Sequence, residues 1–175
     1  LLAKEEQLLW QEASDQTNHE IIQKLLFHLV QLLEMAGREN EVEPYLQQIV
    51  ELQPANEESV RNLVKLLLDK EVPGVIETIG NKFPDLFKSD PFLLYPLAHA
   101  KRLIGKQVEA TDIVKIALEM NPRGATKHLI VAQELLEKRG WFDWAENEYR
   151  TVIHIDQQPK EYTVYAVQKL SEMLH

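Results

Sequence analysis

The chain contains no cysteine in 175 residues, which excludes disulfides, thiolate nucleophiles and cysteine-ligated zinc or iron–sulfur sites. Glycine is scarce as well. Its six copies are scattered, so there is no glycine-rich phosphate loop and no G-x-S-x-G elbow to expose a serine nucleophile. The longest apolar runs span only a few residues, too short to cross a bilayer, and membrane insertion is not expected. Basic residues are outnumbered, 19 Lys and Arg against 28 Asp and Glu, for a net charge of -9. Phosphate binding draws on clustered cations, so a nucleic-acid partner is not expected either. The first residue is Leu1 rather than Met, which reads as an excised or processed piece of a longer protein.

What is present is globular in its proportions, 45% hydrophobic and 27% charged. Charge is unevenly spread. Residues 91–124 carry five basic and three acidic side chains, while residues 1–56 carry three and ten. Hydrophobic residues follow a helical period: Ile21, Ile22, Leu25, Leu26, Leu29, Leu32 and Leu33 recur at spacings of three and four. Thr17 followed by Glu20 fits a capping box at the start of that helix, and Gly37 fits its stop. A second amphipathic run, Val42 to Leu52, ends before Pro54.

The same unit returns 68 residues later, twice 34. Gly105 follows Gly37, Pro122 follows Pro54, and Leu94, Leu97, Ala98, Ala110, Val114 and Ala117 follow Leu26, Leu29, Val30, Val42, Leu46 and Ile49. Asp90 and Pro91 suit the N-cap and first position of its opening helix. One period after the first copy, Val60, Leu63, Val64, Leu67 and Ile76 keep the register, but Glu71 stands where glycine is expected, and the turn is expected at Pro73–Gly74 instead. Gly80 and Pro84 weaken the helix that follows. A fourth copy carries one inserted residue and places Leu129, Ala132, Leu136, Gly140, Phe142, Ala145, Tyr149 and Val152 in register.

A 34-residue helix–turn–helix period resembles the tetratricopeptide repeat family, most specifically in RGWFDWAENEYRTVI, where Gly140, Phe142, Ala145 and Tyr149 match the family's glycine, aromatic, alanine and aromatic positions. The resemblance implies an all-α fold, a right-handed α-solenoid of stacked helix–turn–helix hairpins. A single domain over 1–175 is expected, with a leading helix in 1–19, repeats at 20–56, 57–90, 91–124 and 125–158, and a terminal helix at 159–175. Neighbouring hairpins must stack, because one alone cannot bury its apolar face. The family's usual tryptophan and tyrosine are absent from the first helices, and Val30 and Val64 stand where a small residue is typical.

Candidate chemistry is sparse. The six histidines, at 19, 28, 99, 128, 154 and 175, form no H-E-x-x-H pairing, so neither a metal nor another cofactor is expected, and the carboxylates read as solvated helix faces. No catalytic site is expected. Trp141 and Trp144 flank Phe142 and read as packing residues. Pro96 leaves two readings open: its helix starts near Pro96, or it bends there. The terminal helix carries Tyr162, Tyr165, Val167, Leu170, Met173 and Leu174 around much of its circumference, so either further repeats follow or two copies pair there as a homodimer.

The resemblance also implies a concave groove lined by the first helix of each hairpin. Arg61, Lys65, Tyr95, His99 and Arg102 then form its basic, aromatic middle, expected to bind another protein or peptide through an acidic segment or a C-terminal carboxylate. The family's lysine–asparagine clamp for such a carboxylate is broken, with Phe27 and Gln31 at those places. The plain alternative is a solvated helix face. Two functions remain open: a scaffold or adaptor module that binds partners in the groove, or a regulatory or substrate-docking domain of a larger enzyme whose catalytic part lies outside this chain.

Overall fold

The computed structural model describes residues 2–52, 57–120, 124–155 and 159–173, with backbone alone for 2–17, Glu39 and Lys138. Pro54, Pro122, Leu174 and the Trp10 side chain lie outside the described set. Within it the chain is helical and without strands, an all-α solenoid of successive hairpins. It divides into two compact units, Leu1–Phe83 and Pro84–His175.

The first unit opens with α1 (Leu2–Met35). The leading helix and the first helix of repeat one are thus a single element, and Thr17 lies inside it rather than at a cap. Neither glycine nor proline occurs between Leu2 and Met35, and the polar stretch Ser14–Asn18 lowers helix propensity without forbidding a helix. After a short 3-10 turn (Glu39–Glu41), α2 (Glu43–Leu52) packs against α1. Next come α3 (Glu57–Asp69) and α4 (Pro73–Lys82), and α4 packs against both α2 and α3. The core is aliphatic, centred on Leu46, Ile49, Val60, Leu67, Val75 and Ile79, all fully buried. Lys82 Nζ donates to the Val50 and Glu51 carbonyls at 2.7 and 2.5 Å, satisfying acceptors that the end of α2 leaves without intrahelical donors.

The second unit begins with α5 (Pro84–Ser89), packed on α6 (Pro91–Leu103). Asp90 caps α6, accepting from the Phe92 amide at 3.0 Å. The helix starts at Pro91 and runs through Pro96, which excludes a start at Pro96. Hairpin partners α6 and α7 (Gln107–Glu119) are followed by α8 (Ala125–Gln133), a π-helical segment (Glu134–Lys138), α9 (Phe142–His154) and α10 (Lys160–Met173), the last packed on α9 and α8. Ala166 and Leu170 are the buried residues of α10, and Tyr162, Tyr165 and Met173 pack beside them, while Val164 and Val167 stay exposed.

The repeat is written in the backbone at the end of each first helix. The amides of Arg38, Val72 and Lys106 donate to the carbonyls of Leu33, Leu67 and Lys101, five residues back, at 2.9, 3.3 and 2.8 Å. Each is joined by a bond from the preceding residue to the carbonyl three back, which makes three Schellman caps spaced by 34 residues. The left-handed residue is Gly37 (φ 69°), Glu71 (φ 54°) and Gly105 (φ 82°). The turn expected at Pro73–Gly74 is therefore at Glu71, and Pro73 opens α4 instead. Glu71 holds a conformation that costs a residue with a Cβ about 1–2 kcal/mol, and the two backbone bonds that close the end of α3 are made around it.

In the fourth hairpin the acceptor is Leu135, again 34 residues on, but the donor is Trp141, six residues away, at 2.9 Å. The inserted residue is absorbed as the π-helical turn, and Gly140 (φ 64°) keeps the left-handed place.

Candidate functional site

Of the five residues expected to line one groove, Arg61 and Lys65 belong to the first unit, and Tyr95, His99 and Arg102 to the second. Arg61 pairs with Glu57 one turn earlier on α3 at 2.6 Å, and Lys65 is exposed.

Tyr95 is a correction. It is 1% exposed, so it cannot present contact area to a partner. Its hydroxyl donates to Glu148 Oε1 at 2.6 Å, and His128 Nδ1 lies 2.5 Å from Glu148 Oε2. Glu148 is wholly buried and His128 nearly so. One carboxylate thus ties α6, α8 and α9 together in the core. A buried carboxylate needs such partners, since its desolvation is otherwise uncompensated. Neither Glu148 nor His128 stood out in the sequence. The usable signal is that Trp144, Glu148 and Val152 recur every fourth residue, which places a carboxylate on the buried stripe of α9.

Above this network lies an aromatic cluster. Tyr95 meets Trp144 with ring centroids 5.6 Å apart, and Trp141 meets Trp144 edge-on at 5.2 Å. His99 stacks on Trp141 at 4.5 Å. Both tryptophans pack, as expected, Trp144 buried and Trp141 half-buried, but Phe142, in the matching aromatic position, is 58% exposed. It is the first residue of α9, projecting at the helix start. Burial, then the charges of Arg102 and Arg139, hold the His99 imidazolium below the ordinary histidine pKa, so His99 contributes a neutral ring at neutral pH rather than a cation. Its Nδ1 is buried and has no hydrogen-bond partner among the described residues. Tyr149, deeper in the core, likewise has an unpartnered hydroxyl, and burial pushes its pKa up to about 12.

Arg102 is exposed, with its guanidinium 4.8 Å from the centre of the Trp144 ring. Arg38, Arg61 and Arg150 each pair with a carboxylate three or four residues away, whereas Arg102 lies on an aromatic face. Two adjoining depressions of about 120 and 200 Å³ share Arg102, Asp143 and Trp144 in their walls. Among the described residues no cluster of three or more His, Asp or Glu could hold a metal ion, and no helix is long and apolar enough to cross a membrane.

No protein-family model matches the chain, and no curated protein does. Among solved structures it is similar to one described as the crystal structure of MamA protein, at 19% identity over 87% of this chain and 90% of that one, with a TM-score of 0.42. Another, described as the crystal structure of MamA, matches at 20% identity over 81% and 90%, with a TM-score of 0.41.

Proposed function

We propose that this chain is a non-catalytic, tetratricopeptide-like interaction module, and that the Arg102–Trp144 face of its second unit binds an acidic segment or C-terminal carboxylate of a partner protein. The observation that carries the reading is the guanidinium of Arg102 resting on Trp144 at the rim of two depressions. A planar cation held flat on a ring keeps its outer N–H groups directed at solvent, where a carboxylate can accept two of them. Trp141 and exposed Phe142 supply apolar area beside it. Asp143 on the same rim opposes a negative ligand, so recognition depends on placing the carboxylate on the Arg102 side. Arg61 and Lys65 offer cations on α3 that act as weaker, separate contacts, since Arg61 already has Glu57.

Calorimetric titration with a short Asp- and Glu-rich peptide bearing a free C-terminus tests the reading. Arg102→Ala should weaken binding by about 1–3 kcal/mol, and Arg61→Ala by far less. Equal affinity for parent and Arg102→Ala at low salt would show that this face is only a solvated helix surface.

A further inference from the structure

The two depressions beside Arg102 have walls without net charge. Arg102 and Asp143 are the charged residues among those that line them, and both belong to both walls. Several opposite charges elsewhere on the surface close on one another within a helical turn, as Arg38 does on Glu41, Arg150 on Glu146 and Lys169 on Glu172. Arg102 and Asp143 do not. They come from the end of α6 and the start of α9, both are exposed, and neither is ion-paired with another described residue. The Arg102 guanidinium lies over the Trp144 ring instead.

A uniformly acidic ligand is poorly matched to such a wall. What it gains at Arg102 it loses in part at Asp143, since like charges at short range repel as opposite ones attract. The other polar groups of the larger depression, on Gln107, Thr111 and Asn147, carry no charge to offset Asp143.

We propose that Asp143 is the specificity-determining residue of this face: the partner segment carries a basic side chain beside its carboxylate, with the carboxylate on Arg102 and the base on Asp143. This rests on Arg102 as the carboxylate anchor, as proposed above, and adds the chemistry of the neighbouring residue. In an extended segment, side chains two residues apart project to one face about 6–7 Å from each other, so Glu and Lys at i and i+2 present both charges to one wall. Such a segment is close to neutral, and it approaches a chain of net charge -9 against less repulsion than a run of Asp and Glu does.

Three N-acetylated peptides of one length test this by calorimetric titration at low ionic strength, where surface pairs are least screened. All end in Glu with a free C-terminus and differ only two residues earlier, at Lys, Gln or Glu. The parent should bind them in the order Lys, Gln, Glu, with the Lys peptide ahead of the Gln peptide by about two- to fivefold, the size of an exposed ion pair. In Asp143→Asn the Lys and Gln peptides should bind equally. Asp85→Asn removes an exposed carboxylate from the first turn of α5 instead and should leave the Lys preference intact, which separates contact at Asp143 from attraction to the whole acidic chain. Thermal unfolding of each variant checks that the fold is kept. Equal affinity for the Lys and Gln peptides in the parent overturns the assignment of Asp143, and so does a Lys preference that persists in Asp143→Asn. If Arg102→Ala still weakens all three peptides in those cases, Arg102 stands as the anchor and only the role of Asp143 falls. Peptides indifferent to Arg102→Ala overturn both.

Discussion

The two units share one backbone period and use their polar groups in opposite ways. The first keeps charge at its edges, in the Glu34–Lys70 pair and in Lys82 on the carbonyls of α2, around an aliphatic core, and leaves apolar side chains outside on α1. The second brings Glu148 and His128 inside and leaves Arg102 outside on a tryptophan. The repeat dictates where helices begin, end and cross. What distinguishes one unit chemically lies in substitutions that the period tolerates.

The largest effect expected from breaking that contrast is at Glu148. Glu148→Ala removes the common acceptor of Tyr95 and His128 and should destabilise the protein by about 3–5 kcal/mol, the cost of leaving buried polar partners behind. Denaturant unfolding measures it. A loss under about 1 kcal/mol would mean that the core network contributes little beyond packing.

A smaller effect, of opposite sign in the two units, is expected at the left-handed turns. Gly105→Ala should cost about 1 kcal/mol by backbone conformation alone, because an added Cβ there meets nothing within 4 Å. Glu71→Gly, one period earlier, should stabilise by about 0.5–1 kcal/mol by relieving the same conformation. If both substitutions move stability in the same direction, the two turns are not equivalent.

The smallest effect is on pH dependence. His99 has a folded pKa below its unfolded one, so the unfolded state binds the proton first. Stability should then be lost as pH falls below about 6.5, levelling once the folded imidazole titrates. His99→Gln should flatten stability against pH in that window. Identical slopes for parent and variant would separate His99 from the acid response.

Much of the fold was legible because helix faces and stops leave periodic marks. Leu46, Ile49, Ala110 and Ala117 fell in register and are buried, and the inserted residue of the fourth copy is present as a π turn. The turn at Glu71 was misplaced because glycine is the usual mark of a left-handed cap, whereas here a glutamate takes that conformation within the same pair of capping bonds. The break expected at Thr17 failed because a cap signature cannot end a helix that nothing obstructs. Less of the site was legible. The period put Arg102 on an exposed helix face, where it lies, but His99 is half-buried against Trp141 and Tyr95, expected outward, points into the core. Only the three-dimensional meeting of α6, α8 and α9 reveals Glu148 as its partner.

The claim that the second unit's aromatic face is the binding surface is tested most directly by the three tryptophan indole N–H resonances during titration with the acidic peptide. Those of Trp141 and Trp144 should shift together and saturate. Arg102→Ala should displace the starting resonance of Trp144, on whose ring the guanidinium lies, and should suppress the peptide-induced shifts while the indoles keep the dispersion of a folded protein. A titration that leaves Trp141 and Trp144 unmoved, or that moves them equally in the Arg102→Ala variant, would contradict the account.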